Sequence, residues 1–224
     1  MQDFSTTETA LVNSMKSSLS AARFSKYLHL ANGNETHALH LYQWNSLLSQ
    51  AFYLNVQCWE VCLRNKLNAF LCWKYNKSWP YDEQRAVRQL KSGEKTRLFE
   101  TRRRQEQERK QTKVPTDVIV ADLSAGFWVS MLATSYEIPF GWRNNLKRVF
   151  PNDTALDRRA AWEICSEIRD LRNRIAHHEP IHQLPLETRY RDLQRIVAAM
   201  CPGTFAFMEA NCRFREVFNR RPST

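Results

Sequence analysis

The stretch DLRNRIAHHEPI, residues 170–181, gathers the side chains in this chain most able to do chemistry. Arg172 and Asn173 are followed, after a three-residue spacer, by His177 and His178, and Pro180 closes the run. An imidazole exchanges protons near neutral pH. A guanidinium can hold a phosphate through two N–H groups at once. Asn173 can orient the histidine or a backbone oxygen. This set suits phosphodiester cleavage without a metal: a base removes the proton of a ribose 2′-OH, and a cation stabilises the charge gathering on the phosphorus oxygens. One base and one cation are half of such a site, because the leaving oxygen also needs a proton. Two copies meeting across a dimer would supply the second set.

The element that must position these residues is a helix, predicted over about 154–178. At 100° per residue, Ile164, Ile168, Leu171, Ile175 and His178 fall on one stripe, which must face the core. His178 is therefore expected to be semi-buried and held by a structural hydrogen bond. His177 falls on the opposite face with Asn173 (i, i+4) and near Arg169. Arg172 stands about 140° from His177 around the helix, but its long side chain can swing toward the same groove. Ala176, on the polar face, is small enough to let a second helix approach closely.

The rest of the chain is also helical in pattern. Helices are predicted over residues 21–30 and about 35–74, the second with Leu41, Trp44, Leu48, Phe52, Trp59, Leu63, Leu67 and Phe70 at three- and four-residue intervals. A basic helix follows over about 82–112, then a short apolar one in LSAGFWVSMLAT. After the motif helix come LETRYRDLQRIVAAM and TFAFMEANCRFREVF. Alternating-period strands are absent, and the 5 glycines and 8 prolines leave few turns for a sheet. The expectation is one all-α domain over residues 20–218, with flexible ends at 1–19 and 219–224. The 224 residues and 43% hydrophobic content support a real core.

No apolar run approaches the roughly 20 residues needed to cross a bilayer, and the polar N-terminus lacks the apolar segment of a signal peptide. These features predict a cytoplasmic protein without membrane partners. Cys58, Cys62, Cys72, Cys165, Cys201 and Cys212 are scattered without a C-x-x-C pair or zinc-type spacing, and all six are read as reduced. Five of them fall in apolar helical patterns, where a thiol acts as a small hydrophobe.

The net charge is +10, unevenly spread. Between Arg85 and Lys113 eleven Lys/Arg face four Glu, a surplus of 11 − 4 = 7. Arg97, Arg102, Arg103, Arg104, Arg109, Lys110 and Lys113 make a strip suited to a nucleic-acid backbone. The alternative is a solvated helix face laced by the i, i+4 pairs Glu100–Arg104 and Glu106–Lys110.

Arg-Asn-x-x-x-His near a helix end, in an all-α chain, resembles the signature of the HEPN superfamily. Three blocks, LYQWNSLLSQAFYLNVQCWEVCLRNKL (41–67), ADLSAGFWVSML (121–132) and LRNRIAHHEPI (171–181), resemble the Abi-like (abortive infection) branch of bacterial HEPN proteins. They span most of residues 20–182. The resemblance implies a HEPN-like helical bundle with additional helices. It implies a metal-independent endoribonuclease that leaves a 2′,3′-cyclic phosphate, works as a homodimer with a shared cleft, and uses no cofactor. Arg172 and His177 would be the signature pair and Asn173 the polar residue after the arginine. Glu60 and Arg64 match an acidic-x-x-x-basic feature lining the same groove; the plain alternative is an i, i+4 ion pair. His178 and Arg169 are supporting candidates. HEPN toxins modified by a partner nucleotidyltransferase carry a tyrosine two residues after the histidine, and this chain departs from them with Glu179. The family further suggests phage defence or toxin-type growth arrest, with tRNA, mRNA or a small structured non-coding RNA as partner, and an antitoxin or regulatory RNA as control. A non-catalytic RNA-binding protein and an all-α scaffold are the competing classes; the scaffold leaves the basic strip unexplained.

Overall fold

The computed structural model describes residues 8–223, and among them no strand occurs. Expectations that touch residues 1–7 and Thr224 lie outside the described residues. The chain opens with α1 (Glu8–Leu19), in the segment assigned above to the N-terminal end, and α2 (Ala21–Leu30). Val12, Phe24 and Tyr27 are buried, and Lys16 pairs with Glu35.

The axis of the fold is α3 (Glu35–Lys74), 40 residues long and thus about 60 Å from end to end. Asn34 caps it: its side chain accepts the His37 N–H at 3.0 Å, while Glu35 and Lys74 complement the helix dipole at the two ends. Leu41, Trp44, Leu48, Phe52, Val56, Trp59, Leu63, Leu67 and Phe70 are buried at the three- and four-residue spacing expected. The stripe broadens because helices pack on several sides of α3.

The predicted single basic helix is two pieces, α4 (Ala86–Gln89) and α5 (Ser92–Arg109). Leu90 and Lys91 take extended backbone between them, and the Lys91 N–H donates to the Tyr136 hydroxyl at 2.9 Å instead of continuing a helix. Next come α6 (Thr116–Asp122) and α7 (Ala125–Ser130), the latter capped by Ser124 and burying Phe127 and Trp128. Short turns α8 (Glu137–Phe140) and α9 (Trp142–Asn145) add an aromatic cluster in which the Phe70 and Trp142 ring centroids lie 4.6 Å apart.

The motif helix, α10, runs Arg158–Ala176, shorter at both ends than expected. Asp157 starts it by accepting the Ala160 N–H at 2.7 Å. Then α11 (Leu186–Met200) packs on α3 and α10, and the last predicted helix is divided into α12 (Pro202–Asn211) and α13 (Phe214–Phe218) by Cys212 and Arg213. Trp44 holds α13 by donating its indole N–H to the Val217 carbonyl at 3.0 Å. Arg220 in the C-terminal segment pairs with Glu216.

Candidate functional site

The C-terminal end of α10 is built by a Schellman turn. The Glu179 N–H reaches back to the Arg174 carbonyl at 2.8 Å, and the His178 N–H to the Ile175 carbonyl at 3.1 Å. Such a turn needs one left-handed residue just past the helix, commonly glycine, and here His178 takes it at φ +55°. Arg174 steadies the turn by donating to the Pro180 carbonyl at 3.3 Å.

This corrects the expected role of His178. The 100° stepping stops at Ala176, so His178 does not extend the apolar stripe; it is exposed. His177 is the C-cap residue and is also exposed, and its N–H donates to the Asn173 carbonyl at 2.9 Å. Asn173 lies exposed one turn earlier. The stripe that faces the core ends with Ile168 and Leu171, both buried, and a half-buried Ile175.

Arg172 points at α3. Its Nε donates to Glu60 Oε2 at 3.1 Å, joining residues 112 positions apart. Glu60 therefore serves the motif helix, and its predicted i, i+4 pairing with Arg64 gives way to this cross-helix pair. Arg64 donates through Nη1 to the Ala121 carbonyl at 3.3 Å, while its Nε is shielded from solvent without an acceptor. A groove of about 190 Å³ runs between the two helices, lined by Tyr53, Glu60, Arg64, Arg172 and Ala176 among others. Asn173, in the last turn of α10, and His177, its C-cap, are not part of the groove lining. Arg169 is turned to its neighbour Asp170, with Nη2–Oδ1 at 2.9 Å.

The three blocks of the Abi-like resemblance thus meet. Block 41–67 supplies Glu60 and Arg64, and block 121–132 supplies the carbonyl that Arg64 grips. Gly126 of that block sits under α10: a Cβ there would lie 4.0 Å from Arg169 Cδ. The geometry allows a specific division of labour in the guanidinium of Arg172. Glu60 fixes it through Nε, which leaves both Nη groups to face an anion in the groove.

The basic strip fares unevenly. Arg97 pairs with Glu94 at 3.9 Å, Arg102 with Glu83 at 2.7 Å, and Arg104 with Asp122 through Nε at 3.2 Å. Arg102 also stacks its guanidinium 4.3 Å from the Tyr81 ring centroid. The i, i+4 pairs Glu100–Arg104 and Glu106–Lys110 give way to contacts between elements, for Glu106 instead accepts the Tyr81 hydroxyl at 2.8 Å. Arg109 donates to Gln105, and Lys113 lies over Tyr81. Among the described residues Arg103, Arg109, Lys110 and Lys113 remain exposed without a carboxylate partner. Asp122, which holds Arg104, directly follows Ala121, which holds Arg64, so α6 links the basic helix to the groove.

Asn45 and His182 escaped the sequence reading. Asn45, 5% exposed, accepts through Oδ1 the N–H groups of Ile181 at 2.8 Å and His182 at 3.2 Å. It thereby pins the segment leaving the motif turn onto α3. Its only signal was an asparagine directly after Trp44 of the apolar stripe, in LYQWNSLL. Burial, helped by the charge of Arg221, holds the His182 imidazole below the ordinary histidine pKa.

Fold and site define an all-α protein in which a long axial helix and a motif helix enclose an arginine–glutamate groove. Searches of protein-family models, curated proteins and solved structures give no match to the chain.

Proposed function

We propose that this protein is a metal-independent, HEPN-like endoribonuclease of the Abi-like type, acting as a homodimer in bacterial phage defence or growth arrest. In this reading Arg172 holds the scissile phosphate through its Nη edge and Glu60 positions that guanidinium. His177 of one copy takes the 2′-OH proton, and His177 of a second copy protonates the leaving oxygen. The product is a 2′,3′-cyclic phosphate. The observation that carries the reading is the Arg172–Glu60 pair set in an open groove, with Asn173 and His177 exposed on the same stretch of chain that lines it through Arg172, Ile175 and Ala176. Ala176 and Tyr53, both on the groove wall and exposed, leave room for a second α10 to approach.

Purified protein incubated with total RNA in EDTA tests this, beside an Arg172→Ala/His177→Ala variant. Cleavage by the wild type alone, with 2′,3′-cyclic ends, is expected. A mass of one subunit by light scattering at micromolar concentration would undo the shared cleft.

A second reading, an RNA-binding protein that holds a structured small RNA uncut, is favoured by the exposed, unpaired Arg103, Lys110 and Lys113. RNA retained intact by both wild type and variant would establish it over the enzyme.

A further inference from the structure

Sulfur gathers in a neighbouring groove along α3, which shares Gln57 and Val61 with the groove beside the motif helix. A groove of about 440 Å³ between α3 and α12 is lined by Cys58, Cys62 and Lys66 of α3 and by Cys201 and Thr204 at the start of α12. Leu54, Val61 and the exposed ring of Phe207 make the rest of its wall apolar.

The two thiols next to Thr204 differ in character. Cys201 is the N-cap of the ten-residue helix α12, with extended backbone at φ −157°. Its Sγ folds over the first turn, 3.9 Å from where a Cβ on Gly203 would sit. A helix N-terminus favours negative charge. The side chain closes no cap hydrogen bond of ordinary geometry, yet the Thr204 hydroxyl and the Thr204 and Gly203 amides face it and hold its thiol below the usual cysteine range. Cys201 is half-buried and reachable from the groove. Cys62 is buried, and burial raises its pKa, so it stays a protonated thiol beside the same Thr204 hydroxyl. Lys66, one turn further along α3, supplies a cation to both.

We propose that Cys201 and Cys62 form a dithiol that reacts with organic hydroperoxides, with Cys201 attacking and Cys62 resolving. The Cys201 thiolate attacks the terminal peroxide oxygen; the O–O bond breaks, and the alkoxide leaves and takes a proton to become an alcohol. Cys201 is then a sulfenic acid. The Cys62 sulfur next attacks the Cys201 sulfur, the S–O bond breaks, and the oxygen leaves as water with the Cys62 proton. Two thiols are oxidised to one disulfide, one peroxide is reduced, and α12 becomes tied to α3. The apolar wall with Phe207 suits a hydroperoxide bearing a hydrocarbon group.

The test uses the full, reduced chain. It receives one equivalent of cumene hydroperoxide, is quenched with N-ethylmaleimide, and is mapped by peptide mass spectrometry without reduction. The expected result is a protein that has lost two hydrogens, with one new peptide joining Cys62 to Cys201. Cys62→Ser should leave Cys201 as a sulfenic acid trapped by dimedone, and Cys201→Ser should give neither product. Limiting alkylation of the wild type needs no variant and should label Cys201 severalfold faster than any other cysteine. A disulfide joining a different pair, or a peroxide-treated protein whose Cys201 stays fully alkylatable, would overturn the proposal.

Discussion

Replacing His178 by glycine is expected to make the protein more stable. At φ +55° an L-residue suffers contact between its Cβ and the backbone. That strain costs about 1–2 kcal/mol, toward the lower end for histidine, which enters this region more readily than most residues. Glycine removes it but returns about 0.5 kcal/mol through greater freedom of the unfolded chain. No hydrogen bond or ion pair of the exposed His178 side chain offsets the gain among the described residues. The net is about 0.5–1 kcal/mol of stabilisation, or about 1–4 °C in Tm for a chain of this size. His178→Ala keeps the strained backbone and should lie within about 0.5 kcal/mol of wild type. Differential scanning calorimetry of the three proteins at one pH reads both differences. A glycine variant melting at or below wild type would refute the strained turn. An alanine variant melting several degrees lower would restore the semi-buried His178 that the helical stripe predicted. Under the proposed function, the same glycine variant should cleave RNA as the wild type does, because His177 carries the proton transfer in that mechanism.

Other expectations follow from the same geometry. Asn45→Ala strands the Ile181 and His182 N–H groups and should cost about 2–4 kcal/mol, seen as a lowered urea midpoint with unchanged m-value. Glu60→Gln removes a partly exposed ion pair and should change stability by less than about 1 kcal/mol, yet slow RNA cleavage by about tenfold or more if it positions Arg172. His182 binds its proton less readily when folded than when unfolded, so its contribution is full above the unfolded pKa of about 6.5 and lost as pH falls below it. The opposing group is Asp192, whose raised pKa favours the folded state at acid pH. His182→Gln should therefore flatten the drop in Tm between neutral pH and pH 5, and an unchanged slope would remove His182 as its cause. Arg103→Ala/Lys110→Ala should weaken the proposed RNA binding and lower its salt dependence, measured by fluorescence anisotropy across a salt series.

What the sequence determined by itself is the local and the periodic. The stripe from Leu41 to Phe70 dictates a long helix because a 3.6-residue repeat of large apolar side chains can be buried only that way. The scarcity of glycine and the absence of alternating strands likewise sufficed for an all-α chain. The spacing from Arg172 to His177 marked a chemically capable helix end without any knowledge of its surroundings. Only the tertiary structure decided which charges meet. Glu60 has Arg64 one turn away but bonds Arg172, 112 residues distant, because α10 packs beside α3 and Arg64 is engaged with the Ala121 carbonyl. Glu106 and Arg104 likewise turn from their helix neighbours to Tyr81 and Asp122. Helical stepping also could not show where α10 stops. The turn past Ala176 is set by backbone hydrogen bonds and by Asn45, buried in another helix, which catches the N–H groups of Ile181 and His182. Side-chain spacing reports one helix at a time; pairing between helices depends on packing that no single segment contains.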